Sequence, residues 1–122
     1  MAAPNVVNVS SIYGKTTGLA LTSSSQDILT CATDKLIKVN SIIVANVDGS
    51  NADDVTVKWY NADNTTAFSL ASTVTVPSDS TLVVLGKDAP IYLEEGDKIQ
   101  ALGAAASGDL EIIVSYEELD DA

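Results

Sequence analysis

The stretch Lys35-Leu36-Ile37-Lys38-Val39-Asn40-Ser41-Ile42-Ile43-Val44-Ala45-Asn46-Val47 decides the fold class. Ile37, Val39, Ile43, Ala45 and Val47 fill odd positions with apolar side chains, and Ser41 is the exception. Lys38, Asn40 and Asn46 hold even positions with polar ones. A period of two sends successive side chains to opposite faces of an extended strand, whereas a helix gathers its apolar residues every three or four. Leu36, Ile42 and Val44 break the polar set, so the middle of this strand is expected to be covered on both faces.

The same period continues outward. Val55, Val57 and Trp59 alternate with Thr56, Lys58 and Tyr60. Between the two runs lies Asp48-Gly49-Ser50-Asn51-Ala52-Asp53-Asp54, read as a hairpin or short loop with Gly49 free to take positive φ. Phe68, Leu70 and the run Val74-Thr75-Val76 follow, stopped by Pro77. Residues 82–85 form a short continuous apolar run, expected to be buried on both faces. Ile91-Tyr92-Leu93, the tight turn Glu94-Glu95-Gly96-Asp97, and Lys98, Ile99, Ala101 and Leu102 come next. The last strand sets Leu110, Ile112, Val114 and Tyr116 against Glu111, Ser115 and Glu117, with Ile113 an apolar exception. Upstream, strands are expected near 19–22 and 27–32, after an extended segment at 6–9.

No window of ten residues carries an apolar period of 3.6, so helix is limited to a turn or two. Short strands separated by turn residues predict an all-β, single-domain antiparallel β-sandwich of about eight strands, jelly-roll-like or related. The expected division is an extended N-terminal arm over 1–12, a sandwich over 13–119 and an acidic tail over 120–122. Within the core, Trp59 is expected beside Val55 and Val57, next to Ile112 and Val114, with Tyr60 turned outward as a contact residue.

Composition removes most chemistry. The 122 residues include no His and no Arg, and one Cys, Cys31. General acid–base work near neutrality falls most often to His, and planar capture of phosphate or carboxylate falls to Arg. A single thiol makes neither an intrachain disulfide nor a thiolate zinc cage, and Cys31 reads as a buried filler. Seventeen acids against six lysines give a formal charge of −11, which repels nucleic acid and anionic membrane. No stretch reaches the roughly 18 apolar residues of a membrane span, and no signal peptide is evident. Neither a catalytic site nor a cofactor is expected.

Several local patterns resemble sites. Asp48, Asp53 and Asp54, with Asn46 and Asn51, offer oxygens that calcium could use, but their spacing is not that of an EF-hand and turn chemistry explains acids there. Glu94, Glu95 and Asp97 suggest paired carboxylates, yet adjacent residues at a strand end point apart and no sugar cleft with several aromatics is visible. Gly14-Lys15-Thr16-Thr17 lacks the first glycine of a phosphate loop. Ser23-Ser24-Ser25 has no His to activate it.

Three stretches resemble small virion-associated proteins of tailed bacteriophages, especially those infecting marine cyanobacteria. They are Ile43-Val44-Ala45-Asn46-Val47-Asp48-Gly49, Ala89-Pro90-Ile91-Tyr92-Leu93-Glu94-Glu95-Gly96-Asp97 and Ser115-Tyr116-Glu117-Glu118-Leu119. The resemblance spans roughly residues 35–119. It implies a non-enzymatic structural protein of the virion, decorating or cementing the capsid, and leaves a tail, neck or fibre location as the alternative. A calcium- or carbohydrate-binding β module is a third expectation, resting on the Asp48–Asp54 loop. The implied partners are further copies of the chain, a trimer being one form, and the major capsid protein or other virion proteins. Val6, Val7 and Val9, ahead of the core, are the expected interface residues together with Tyr60.

Overall fold

Nine strands and no helix make up the computed structural model, which describes residues 9–105 and 108–121. They are β1 (Val9–Ala20), β2 (Gln26–Thr30), β3 (Lys35–Asn46), β4 (Asp53–Asn61), β5 (Thr66–Val76), β6 (Thr81–Leu85), β7 (Ile91–Leu93), β8 (Lys98–Gly103) and β9 (Leu110–Asp121). All pairings are antiparallel. One sheet runs β1-β9-β3-β6, with β7 also on β3, and the other runs β2-β8-β4-β5. β9 covers one side of β3 from Lys35 to Asn46, so β6 and β7 lie end to end along the other side. Counted as one interrupted strand, they leave eight strands, four to a sheet. Every connection except β4–β5 and β6–β7 crosses between sheets. This is a jelly-roll sandwich.

The alternation of the central strand explains the core, with one change of phase. Ile37 and Val39 are buried, and so are Ile42, Val44 and Asn46. The inward set passes from odd to even numbers because Asn40 is extra: Val39 pairs with Tyr116 and Ser41 with Ser115. A β-bulge of this kind reverses the facing of everything beyond it. Ser41 thus marks the bulge, and Ile43 and Ala45 face outward after it. Val55, Val57, Ile99 and Ala101 of the second sheet meet Ile112, Val114 and Val44 of the first, all fully buried in one cluster.

Several expectations need correction. The first strand extends over Val9–Ala20, paired along its length with β9, not over 19–22. The boundary expected at residue 12 therefore falls inside β1, and Asp120 and Asp121 belong to β9. The loop after β3 is no hairpin, because β3 and β4 sit in different sheets. β6 is an edge strand and Val83 is 61% exposed, so residues 82–85 are not buried on both faces. Trp59 pairs with Phe68 and Ile99 and has no β9 neighbour in its sheet. It packs against the core only partly buried.

Candidate functional site

The loop with the calcium candidates is tied down by hydrogen bonds of its own. Asp48 accepts from the Ser50 and Asn51 N–H groups at 2.8 and 3.3 Å. Those bonds hold its carboxyl below the ordinary carboxylate value. Asp53 is buried and accepts from the N–H groups of Asp54, Ala104 and Ala105. Asp54 accepts from the Thr75 hydroxyl at 2.7 Å. The three carboxylates thus serve three separate connections. Among the described residues, no group of three acids or thiols is arranged to hold a metal ion. Buried Asn46 completes the loop, donating to the Asn51 and Val76 carbonyls and accepting from the Asp48 N–H.

The acidic turn at 94–97 is also structural. Asp97 is 2% exposed and accepts from the Ala62 N–H at 2.9 Å and the Glu94 N–H at 3.1 Å. Gly96 takes φ +82° and donates its N–H to the Cys31 carbonyl, while the Cys31 N–H donates to the Asp97 carbonyl. A side chain at Gly96 would be strained twice, by that φ and by the Ala62 Cβ 3.0 Å from its Cβ. Cys31 is buried, its thiol 3.3 Å from the Lys35 carbonyl. Burial, with the nearby Asp97 charge adding to it, pushes that thiol up to about 11, so it stays protonated and unreactive.

The fold also exposes large apolar side chains. Ile12, Tyr13, Leu19, Val47, Phe68, Val74, Val83, Tyr92 and Ile113 are the exposed large hydrophobic residues among those described. Seven of the nine lie on strands at the sheet edges: three on β1, two on β5, and one each on β6 and β7. An apolar cleft of about 300 Å³ opens between the two sheets on the β5–β7 side. Trp59, Leu70, Ile91 and Tyr92 line it, and Trp59 stacks on Phe68 with ring centroids 5.6 Å apart. Three of the six aromatic residues thus gather at one edge, a cluster invisible in the sequence because β4, β5 and β7 bring it together. Its lining has no charge and few polar atoms, which suits an apolar side chain better than a sugar.

Of the expected interface residues, Val6 and Val7 lie outside the described residues. Val9 opens β1, opposite Asp121. Tyr60 is half-buried, with the Lys98 ammonium 5.4 Å from its ring centre. It does not adjoin the cleft.

No family model matches this chain, and no curated protein matches it. Its fold is similar to that of a structure described as "Bacillus endospore appendages form a novel family of disulfide-linked pili". That match has a TM-score of 0.54 and 15% identity, covering 92% of this chain and 88% of the other. Two structures of a pentameric capsid protein from metagenomic phage sequences align over 97% of this chain at 15% identity, each with a TM-score of 0.34. At 15% identity the first match is a likeness of fold alone, and it agrees with the sandwich derived above.

Proposed function

We propose that this chain is a non-enzymatic structural protein of a phage virion that decorates or stabilises the capsid through subunit contacts. The observation that carries this reading is the placement of seven of the nine exposed large hydrophobics on edge strands. A protein that works alone blunts its edges with charge, proline or short strands, because an open edge invites pairing with another chain. Here β1 and β5 are long edges of 12 and 11 residues. An assembled subunit has a use for both.

The missing chemistry supports the same reading. The carboxylates of Asp48, Asp53, Asp54 and Asp97 are engaged in hydrogen bonds within the fold, and the one thiol is buried. The pilus structure with a related fold is described as disulfide-linked. A chain whose only Cys is Cys31 assembles instead by noncovalent contacts. The residues ahead of β1, with Val6 and Val7, serve in this proposal as an arm toward a neighbouring subunit or the shell. Mass spectrometry of purified particles, paired with heat challenge of particles lacking this chain, tests the reading. The expected result is the chain at many copies per particle and heads that open at lower temperature without it. Its absence from particles, or unchanged heads without it, would refute a stabilising role, and recovery with tails alone would move it to the tail or fibre.

A further inference from the structure

The outward face of the β1-β9-β3-β6 sheet carries two cross-strand rows with an unusual internal symmetry. One row reads Gly18, Ile113, Ile43, Val83 across β1, β9, β3 and β6. The other reads Gly14, Glu117, Lys38, Tyr92 across β1, β9, β3 and β7. In both, a glycine stands at one end and a large exposed side chain at the other: Val83 is 61% and Tyr92 47% exposed. The central pairs match, isoleucine with isoleucine and lysine with glutamate.

From this register we infer that the face binds a second copy of the chain about a two-fold axis parallel to the strands, between β9 and β3. Such an axis exchanges β9 with β3 and β1 with the β6–β7 edge. Ile43 of one copy then meets Ile113 of the other, and Lys38 meets Glu117. Val83 comes over Gly18, and Tyr92 over Gly14, where the Cβ position has nothing within 4 Å. Each contact occurs twice, as an isologous interface requires. Near-aligned packing of two such sheets is the common sandwich geometry.

The charge on this face is low. The rungs between the Glu111 and Glu117 levels, Ala20-Glu111-Ala45-Thr81, Gly18-Ile113-Ile43-Val83, Thr16-Ser115-Ser41 and Gly14-Glu117-Lys38-Tyr92, hold two acids and one lysine. Lys87 joins Lys38 at the rim of a shallow depression there. Two chains of charge −11 can approach each other on a face of such low charge. Lys38 takes part in none of the ion pairs between described residues, so its charge is available to the partner.

This inference deepens the assembly reading and rests on it, and its test separates the two. Sedimentation velocity of the full chain should show a concentration-dependent dimer. K38E and E117K should each shift it to monomer, since each places like charges together at both copies of the contact, with melting temperatures confirming that both variants fold. Mixing the two single variants should restore a dimer, because every contact in the mixed pair joins opposite charges. Restoration within one chain cannot explain that rescue. A wild-type chain that stays monomeric, or a dimer indifferent to both substitutions, would overturn the inference. If that chain is nevertheless abundant in purified particles, the assembly reading survives without this contact. If it dimerises as expected but is absent from particles, the virion reading is the one that fails.

Discussion

Asp97 shows how a residue that looks chemical in sequence becomes structural in the fold. Its buried carboxylate joins the β7–β8 turn to Ala62 at the β4–β5 turn. Asp97→Ala leaves two N–H groups without their acceptor and should cost about 2–4 kcal/mol, read from chemical denaturation. An unchanged midpoint would mean that water replaces the carboxylate. Trp59 is the opposite case, a core expectation that the structure moved toward the surface. Its Nε1–H has no hydrogen-bond partner among the described residues, so Trp59→Phe should be close to neutral. Trp59→Ala removes the stack on Phe68 and one wall of the cleft, at about 2–3 kcal/mol, below the cost of a fully buried Trp. Because Trp59 is the only Trp, its fluorescence reports both the folding of these variants and any occupant of the cleft.

At the scale of elements, alternation was readable wherever a strand has one wet and one dry face, as in β4, β8 and β9. It failed in two instructive ways. On β3 a single extra residue, Asn40, reverses the phase, so Ile43 faces out although Ile37 and Val39, at odd positions like it, face in. Ile113, the apolar exception on β9, is its cross-strand neighbour, and the two form one outward row. β1 was misplaced because Tyr13, Gly14, Lys15, Thr16, Thr17 and Gly18 show no apolar period. Backbone pairing with β9 and the Lys15–Glu118 ion pair at 3.1 Å hold it instead. No pattern in a sequence announces an edge strand whose two faces are both partly wet. If residues 1–8 are the proposed arm, deleting them should weaken retention on particles and leave the melting temperature nearly unchanged. Deleting 1–20 should strip β9 of its outer partner and give an aggregating protein. Equal folding of both truncations would show that β1 adds nothing to the sandwich.

For the whole molecule, charge and pH follow from where the acids sit. Asp27 is held below its ordinary 3.8 by the Gln100 amide first and then by the Lys98 ammonium, and Asp48 by the Ser50 and Asn51 N–H groups. A carboxyl whose folded value is depressed adds stability that is complete above the unfolded value and lost as pH falls through the folded one. Closer to neutrality, protonation instead relieves the repulsion of the −11 charge. Melting temperature should thus rise on mild acidification, peak, and fall below about pH 3.8, with Asp27→Asn reducing the acid-side fall. A curve that only rises toward acid would show these bonds to be immaterial. Fold class was legible in the sequence, since it depends on residue type and local period. The edge cleft and the two matched rows were not, because they depend on the order in which strands meet. A cryo-electron microscopy map of purified particles tests the account most directly. The expected result is jelly-roll density repeated on the head lattice, with edge strands or the Ile43–Ile113 face against neighbours. Particles whose maps and protein content lack this chain, or a chain held there with those edges and that face all bare, would contradict it.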